Sequence, residues 1–265
     1  MRSNEHNKPI SIDIMITKAE IKLITSLRHK KYRDEEQLFV VEGEKMMEEL
    51  VNSHFTIQKL YTTAAPQAAF AFSVEQIGET EMKKVSALKT SSSFLAVVHQ
   101  PAISDAAPIP LDDLVLAIDD VQDPGNLGTI IRLADWFGIR HLVCSLHTVD
   151  CYNPKVVQAS MGAIFRTKIS YLDLPAFIAQ VATKAPVYGT FLDGINIYET
   201  SLAPKAVLVM GNESTGISEA VARQISSRLL IPSFPRNRKG SESLNVAVST
   251  AIACAEFRRR AIIQS

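Results

Sequence analysis

The chain has 265 residues, and its 28 lysines and arginines balance its 28 aspartates and glutamates, so the formal net charge is zero. This balance excludes a uniformly basic nucleic-acid coat protein and an acidic tail protein. Hydrophobic residues make up 46% of the chain and charged residues 21%, which is typical of a globular protein and excludes a disordered or collagen-like chain. At about 100 to 200 residues per domain, the length predicts one large or two modest domains, and we expect two.

The cysteines and the apolar runs indicate the cellular compartment in which we expect the protein. The first residues contain charges and a proline but no apolar stretch of about seven residues, so no secretory signal is predicted. No run approaches the roughly 18 apolar residues that a membrane span needs. Cys144, Cys151 and Cys254 are odd in number and lack metal-ligand spacing, which predicts neither a disulfide framework nor a zinc site. We therefore expect a cytoplasmic protein with no metal and no membrane partner.

The first part of the chain predicts mixed α/β structure. A helix starts after Thr17, a basic stretch follows, and a short strand spans residues 38–41. A second helix carries Met46, Met47 and Leu50 at helical spacing. The predicted organisation is a loose tail at 1–14, an amino-terminal domain at 15–100, a proline-rich linker at 101–112 and a carboxy-terminal domain at 113–265.

In the carboxy-terminal domain, short apolar runs alternate with helical patterns. The runs predict strands at 114–119, 141–145, 186–191, 206–210 and 228–232. The helices are predicted at 127–137, 154–163, 174–183, 218–227 and 244–263. Such alternation is typical of a parallel sheet that is covered by helices on both faces.

Three segments in this domain contain residues that are suited to ligand binding or catalysis. In residues 119–138 a strand ends in a Pro-Gly-Asn turn and leads into a helix, where Arg132 follows Gly128 by four residues and lies near the turn. A guanidinium at that place suits a phosphate or a ribose hydroxyl. The structural alternative is that Asn126 caps the helix and Arg132 pairs with Asp135.

The second segment, residues 206–218, is an apolar strand followed by a polar turn. The strand delivers four residues to the sheet edge at which open α/β sheets bind ligands, namely Gly211, Asn212, Glu213 and Gly216. The pattern matches neither a dinucleotide fingerprint nor a Walker loop. The alternative is that Gly-Asn makes the turn and Ser218 caps the next helix.

The third segment, residues 229–260, contains a strand that stops at Pro232, a basic loop and a long helix. That helix is apolar on several faces, which indicates a central core position or an oligomer interface. For Ser243 and Asn245, at the start of the helix, a simple cap is the alternative role.

Together the three segments resemble, in order and spacing, the motifs of the SpoU (TrmH-like) RNA ribose 2′-O-methyltransferases of the SPOUT class. The resemblance rests on Asn126, Gly128 and Arg132, on Gly211-Asn212-Glu213 and Gly216, and on Ile231-Pro232 and Ser243-Leu244-Asn245-Val246. A further match to the family lies at 153–155 and 160–163. The whole resemblance covers about residues 112–262. Residues 26–43 are similar to the small RNA-binding domain, related in fold to a ribosomal protein, that precedes the catalytic domain in rRNA-modifying members.

The resemblance implies a fold and an activity. The fold is α/β, with a smaller amino-terminal α/β RNA-binding domain and a carboxy-terminal parallel sheet that carries a trefoil knot. A homodimer through the catalytic domain is implied, which agrees with the apolar last helix. The implied activity is transfer of a methyl group from S-adenosylmethionine to a ribose 2′-hydroxyl of RNA, with 23S-type rRNA as the expected substrate.

The resemblance also assigns site residues. Arg132 takes the place of the residue that activates the hydroxyl, with Asn126, Glu213 and Asn245 around it. Because a guanidinium is a poor proton acceptor at neutral pH, we favour a phosphate anchor and alkoxide stabiliser over a general base. The implied cofactor-binding residues are Thr190, Phe191, Leu192, Met210, Gly211, Ile231, Ser243 and Leu244.

Local basic clusters predict the RNA surface in spite of the neutral total. The expected RNA-binding residues are Arg28, Lys30, Lys31, Arg33, Lys155, Ser160, Arg236, Arg238 and Lys239. The alternative is that such runs are solvated faces. The loop at 233–242 is longer and more basic than is typical of the family, so we expect it to reach toward RNA.

Two other functions stay open from the sequence, a tRNA 2′-O-methyltransferase and an inactive RNA-binding homologue that assists ribosome assembly. The amino-terminal domain favours rRNA over tRNA. Retention of Asn126, Arg132, Glu213 and Asn245 argues against an inactive binder, which has no need for all four.

Overall fold

The computed structural model describes residues 16–64, 72–101, 108–235 and 243–264, with side chains as far as residue 262. The chain divides into two units, Met1–Glu48 with Phe55–Gln100, and Glu49–His54 with Pro101–Ser265. The predicted tail, residues 102–107 of the predicted linker, and residues 236–242 lie outside the described residues.

The amino-terminal unit is built on a mixed sheet. The elements as far as its last strand are α1 (Lys18–Ser26), α2 (Lys30–Glu36), β1 (Leu38–Glu42), α3 (Glu44–Val51), β2 (Ile57–Thr62), β3 (Ser73–Gln76), α4 (Glu79–Val85) and β4 (Phe94–His99). The strand order is β1-β4-β2-β3, in which β4 runs antiparallel to both neighbours and β3 runs parallel to β2. Ile24 of α1 and Met82 of α4 share a core with Leu38 and Leu95 of the sheet.

The first helix begins where the sequence predicts it. The Thr17 hydroxyl accepts a hydrogen bond from the Glu20 backbone N–H at 3.2 Å, and the Glu20 carboxylate accepts one from the Thr17 backbone N–H at 2.9 Å. This reciprocal capping satisfies N–H groups that have no partner inside the helix, so it fixes the start of α1.

The carboxy-terminal unit is a parallel α/β sheet. Its elements are β5 (Val115–Ile118), α5 (Pro124–Trp136), β6 (His141–Ser145), α6 (Pro154–Ser160), a 3-10 turn (Ala163–Phe165), β7 (Lys168–Leu172), α7 (Leu174–Val181), β8 (Val187–Asn196), β9 (Val207–Met210), α8 (Glu219–Ala222), β10 (Ser227–Leu230) and α9 (Val246–Gln264). The strand order is β10-β8-β9-β5-β6-β7, and all of these pairings are parallel. The predicted mixed α/β class with a parallel sheet is confirmed.

Some elements differ from the prediction for physical reasons. The predicted helix at 218–227 ends at Ala222, because Ser226 already donates its backbone N–H to the Val187 carbonyl oxygen at 2.9 Å where β10 joins the sheet. Strand β7 was not predicted, because its side chains are half-buried or exposed and form no continuous apolar run. Within the described ranges, no helix is both long and apolar enough to cross a bilayer.

Candidate active site

The candidate site lies where neighbouring parallel strands end. Strand β5 lies beside β9, so their carboxyl ends meet at one edge of the sheet. Asn126 lies in the first turn of α5, which follows β5, and Glu213 lies in the turn after β9. Asn245 directly precedes α9. The topology thus brings together residues that are far apart in the sequence.

Hydrogen bonds join these three side chains. The Asn126 Nδ2 donates to Glu213 Oε1 at 2.7 Å, and the Asn245 Nδ2 donates to Asn126 Oδ1 at 2.9 Å. The Asn245 Oδ1 in turn accepts from the Ala247 backbone N–H at 2.9 Å, so this residue also caps α9. Asn126 thus donates on one side and accepts on the other, and this chain of bonds ties α5, the β9 turn and α9 into one site.

The turn after β9 is held by Asn212 and needs a glycine before it. The Asn212 Nδ2 donates to the Asp120 carbonyl oxygen at 2.7 Å, and its Oδ1 accepts from the Ser214 backbone N–H at 2.8 Å. A Cβ atom at Gly211 would lie 2.3 Å from the backbone carbon of Gly216, closer than any real contact allows. The Gly-Asn turn of the alternative is present and presents Glu213 to Asn126, although the Ser218 side chain makes no capping hydrogen bond at the start of α8.

Asp123, not Asn126, caps the helix that carries Asn126. The Asp123 Oδ1 accepts from the Asn126 backbone N–H at 2.8 Å, so the alternative of an Asn126 cap is wrong. Gly128 is buried, and a Cβ atom there would lie 2.5 Å from the Ala159 Cβ and 2.7 Å from the Val156 carbonyl oxygen. This glycine permits close packing of α5 on α6.

Arg132 stands apart from the hydrogen-bonded cluster. It is exposed, and within the described residues its guanidinium makes no hydrogen bond or ion pair. Pairing with Asp135, the structural alternative, is wrong because the Asp135 carboxylate instead accepts from Arg166 at 2.8 Å. Arg132 lies six positions after Asn126 on α5, so the two residues are about 9 Å apart along the helix axis. The structure therefore joins three of the four predicted catalytic residues and leaves the arginine free.

The predicted cofactor-binding residues lie on β8, at the end of β9, after β10 and before α9. The Thr190 hydroxyl donates to the Met210 sulfur at 3.7 Å, which links β8 to β9. Leu192 and Leu244 are apolar yet 71% and 50% exposed. Gly211 is buried, Phe191 and Ile231 are half-buried, and Ser243 is exposed.

Sequence reasoning missed a cationic contact beside this set. The Arg228 guanidinium lies 3.5 Å from the centre of the Phe191 ring and donates to the Asp193 carboxylate at 2.5 Å. The residues are more than thirty positions apart, and only the pairing of β10 with β8 brings them together. No local pattern in the sequence signals such a contact.

A shallow groove of about 440 Å³ runs between α5 and α9. Most of its lining residues are small or apolar; they are Asp123, Gly125, Asn126, Thr129, Leu133, Ala159, Asn245, Ala247, Val248 and Ala251. Val248 is 49% exposed, although it lies on a largely apolar helix. Apolar surface is therefore uncovered on this side of the site.

Two of the predicted RNA contacts are wrong. Arg33 is only 1% exposed, because its guanidinium turns inward and donates to the Leu27 carbonyl oxygen at 2.8 Å. Ser160 is fully buried, and its hydroxyl donates to the Val157 carbonyl oxygen at 2.7 Å. Neither side chain has surface to offer an RNA.

The other predicted RNA contacts have different surroundings. Lys30 and Lys31 lie on α2 and pair with Asp34 at 2.5 Å and Glu35 at 3.8 Å. Arg28 donates to the Ser86 carbonyl oxygen at 2.8 Å. Lys155 is exposed at the start of α6. Arg236, Arg238 and Lys239 lie outside the described residues.

Two family models cover most of the chain. The model of the SpoU rRNA Methylase family matches residues 113–255, and that of the MRM3-like substrate binding domain matches residues 18–96. The chain belongs to the SpoU rRNA methylase family. The resemblance seen in the three sequence motifs is thereby confirmed, as is a substrate-binding domain in the amino-terminal part.

Similar proteins agree with this membership. The chain is 31% identical over 238 residues to the 23S rRNA (guanosine(2553)-2′-O)-methyltransferase RlmP of Bacillus subtilis, covering 88% of this chain and 93% of that one. A TrmH-family protein from Porphyromonas gingivalis has a structure that matches with a TM-score of 0.83 and 41% identity, over 93% of this chain and all of that one. The AdoMet-bound rRNA methyltransferase from Sinorhizobium meliloti matches with a TM-score of 0.79 and 29% identity, over 92% and 95% of the two chains.

Proposed function

We propose that this protein is an RNA ribose 2′-O-methyltransferase that uses S-adenosylmethionine and acts on 23S-type rRNA. The observation that carries this proposal is the hydrogen-bonded chain of Asn126, Glu213 and Asn245 at the carboxyl edge of the sheet in a SpoU rRNA methylase domain. Relatives that are named as 23S rRNA 2′-O-methyltransferases support the substrate.

The residues around the end of β9 fit S-adenosylmethionine. Leu192 and Leu244 leave apolar surface exposed, which suits the faces of an adenine ring, and Met210 is held from β8 by Thr190. The remaining members of the cofactor set are Phe191, Gly211, Ile231 and Ser243. When bound, S-adenosylmethionine supplies an electrophilic methyl group on its sulfonium.

In this proposal the four polar residues divide into two roles. Arg132 is the catalytic residue, because a free and exposed guanidinium can anchor a phosphate of the RNA and stabilise the alkoxide that forms at the ribose. Asn126, Glu213 and Asn245 are positioning residues, since their bonds hold the start of α5, the β9 turn and the start of α9 in a fixed arrangement.

Assembly and topology are part of the same proposal. The uncovered groove between α5 and α9 supports a homodimer through the catalytic domain. A trefoil knot in the carboxy-terminal sheet is carried over from the family resemblance. The domain limits at 15–100 and 113–265 and the location in the cytoplasm stay predictions. So does contact with RNA by Arg28, Lys30, Lys31, Lys155 and the 233–242 loop.

The test is transfer of a labelled methyl group to RNA. Purified protein is incubated with labelled S-adenosylmethionine and either unmodified 23S rRNA transcript or unmodified tRNA, and the label is then mapped to ribose. Label on a ribose 2′-oxygen of 23S rRNA is expected. Label on tRNA alone would favour the tRNA alternative, and failure to bind S-adenosylmethionine in calorimetric titration would favour the inactive homologue.

The role of Arg132 has a separate test. Arg132→Ala should abolish methyl transfer and leave S-adenosylmethionine binding nearly unchanged, because the guanidinium makes no hydrogen bond or ion pair with the described residues of the cofactor set. Arg223→Ala, another exposed arginine of the same unit, is the control. Wild-type methylation by the Arg132→Ala protein would contradict the role.

A further inference from the structure

The amino-terminal unit has unpaired positive charge at a place that the sequence did not single out. The lysines of α2 are paired one turn further on, since Lys30 contacts Asp34 and Lys31 contacts Glu35. By contrast, Lys83 and Lys89 are exposed and make no ion pair with any described residue. Lys83 lies in the last turn of α4, and Lys89 lies in the loop that follows this helix.

These two lysines line a cavity of about 250 Å³. Its other lining residues are Ser86, Leu88, Thr90 and Ser91. The hydroxyls of Thr90 and Ser91 have no hydrogen-bond partner within the described residues. The cavity therefore combines two ammonium groups with two hydroxyl donors that no described residue occupies, and such donors suit a phosphate group.

Buried bonds hold the loop in place. The Glu42 carboxylate, which is only 6% exposed, accepts from the Ser86 hydroxyl at 2.5 Å and from the Ala87 backbone N–H at 2.9 Å. The Ser86 hydroxyl also accepts from the Leu88 backbone N–H at 3.2 Å. Both Glu42 oxygens are thus occupied beneath the loop, and the first residues of the loop are fixed before any ligand arrives.

A helix end disfavours an anion, and here that effect is offset. The last carbonyls of α4 carry partial negative charge. The Arg28 guanidinium neutralises part of this charge, because it donates hydrogen bonds to the Val85 and Ser86 carbonyl oxygens at 3.2 and 2.8 Å. Among nearby acids, Glu81 is paired with Lys84 at 3.3 Å, and Glu79 is exposed one turn before Lys83. When Glu42 and Glu79 are set against Arg28, Lys83 and Lys89, one positive charge remains in excess at this place.

We propose that residues 83–91 form a binding site for a backbone phosphate of the substrate RNA. The proposal deepens the proposed function and rests on it for the identity of the RNA. The cavity is lined by ammonium and hydroxyl donors and one leucine, so it takes a phosphate group without reading a base. Its purpose is to hold the RNA in register while the carboxy-terminal unit acts on one ribose.

The experiment compares lysines that line the cavity with lysines that do not. Full-length Lys83→Gln/Lys89→Gln protein is titrated with unmodified 23S rRNA transcript over a range of salt concentrations. Loss of both ammonium groups from this phosphate should weaken binding about tenfold or more at low salt and reduce the slope of log Kd against log salt by about 1. The KM for RNA should rise while kcat at saturating RNA stays within about twofold.

Matched variants separate this site from a general charge effect. Lys84→Gln, which changes the adjacent lysine of α4, should bind RNA as the wild type does, and Lys83→Arg/Lys89→Arg should keep most of the affinity. Unchanged affinity and salt slope in Lys83→Gln/Lys89→Gln would overturn the proposal, as would a loss that appears instead in Lys30→Gln/Lys31→Gln.

Failure of the proposed function would look different. If the wild-type protein methylates no RNA yet binds 23S rRNA with the expected dependence on Lys83 and Lys89, the phosphate site stands and the enzyme activity does not. If the wild-type protein methylates 23S rRNA and the cavity variants bind it normally, the activity stands and the phosphate site does not.

Discussion

Asn126 is the residue on which the candidate site depends most, because one amide serves two partners. It donates to Glu213 and accepts from Asn245, so an aspartate of the same shape keeps one bond and turns the other into a contact between two carboxylates. Asn126→Asp should therefore lower the free energy of unfolding by about 1–3 kcal/mol at neutral pH.

A second substitution tests whether the lost bond is the cause. In Asn126→Asp/Glu213→Gln the amide and carboxylate exchange sides, so the hydrogen bond can form again, and part of the stability should return. The measurement is a double-mutant cycle by thermal unfolding. Strict additivity of the two single effects would show that the bond does not contribute.

The family resemblance implies that Asn126, Glu213 and Asn245 meet, and the ends of neighbouring parallel strands explain why Asn126 and Glu213 do, but other residue positions could not be predicted. Parallel strands deliver their carboxyl ends to one edge, so turns that follow such strands converge. A run of basic residues does not specify which way each side chain turns. Arg33 belongs to the same run as Lys30 and Lys31, yet it is buried on the Leu27 carbonyl oxygen, while the two lysines stay at the surface.

At the scale of elements, Gly128 controls the approach of α5 to α6. Gly128→Ala would place a Cβ atom 2.5 Å from that of Ala159, so the helices must separate. We expect a loss of about 1–3 kcal/mol in the free energy of unfolding, measured by thermal denaturation. Adding Ala159→Gly should recover part of the loss; no recovery would mean that the Ala159 contact is not responsible.

Glu20 connects α1 to the sheet and makes this connection sensitive to acid. Burial raises the pKa of its carboxyl, but hydrogen bonds from Lys59, Thr17 and Tyr61 outweigh burial and lower that pKa to about 2. Because the pKa is lower in the folded state, the stabilisation is complete above the unfolded value of about 4.3 and is lost as the pH falls toward 2.

The matching measurement is hydrogen exchange of the α1 and β2 amides in the full chain. Glu20→Gln should exchange faster than the wild type at pH 6, and the difference should shrink as the pH falls below about 4.3 and vanish as it approaches 2, where the wild-type carboxylate becomes protonated. Glu36→Gln, which removes an exposed carboxylate from α2, is the control. A difference that persists at low pH would contradict the role of the charge.

Whole elements were predictable where the sequence pattern was strong. Strand β6 spans His141–Ser145, as its apolar run predicts, and α5 differs from its prediction chiefly by starting at Pro124, three residues earlier. The early start reflects the Asp123 cap, a local signal that the apolar pattern does not contain. Strand β7 escaped prediction because its residues alternate in polarity at an edge of the sheet.

At the scale of the whole molecule, the groove between α5 and α9 bears on assembly. Val248→Glu would place a charge on its apolar lining, which an interface between two copies does not tolerate. We expect the variant to elute as a monomer in size-exclusion chromatography with light scattering, while the wild type and Val248→Ala elute as dimers. A monomeric wild type would contradict the proposed homodimer.

The hydrogen bond from Asn245 to Asn126 spans 119 positions of the chain, and this span has a consequence for the newly made protein. A ribosome synthesises Asn126 and Glu213 well before Asn245, so the last member of the site is missing while most of the carboxy-terminal sheet is already available to fold. The candidate site, and with it the proposed methyl transfer, is therefore complete only after the start of α9 has left the exit tunnel.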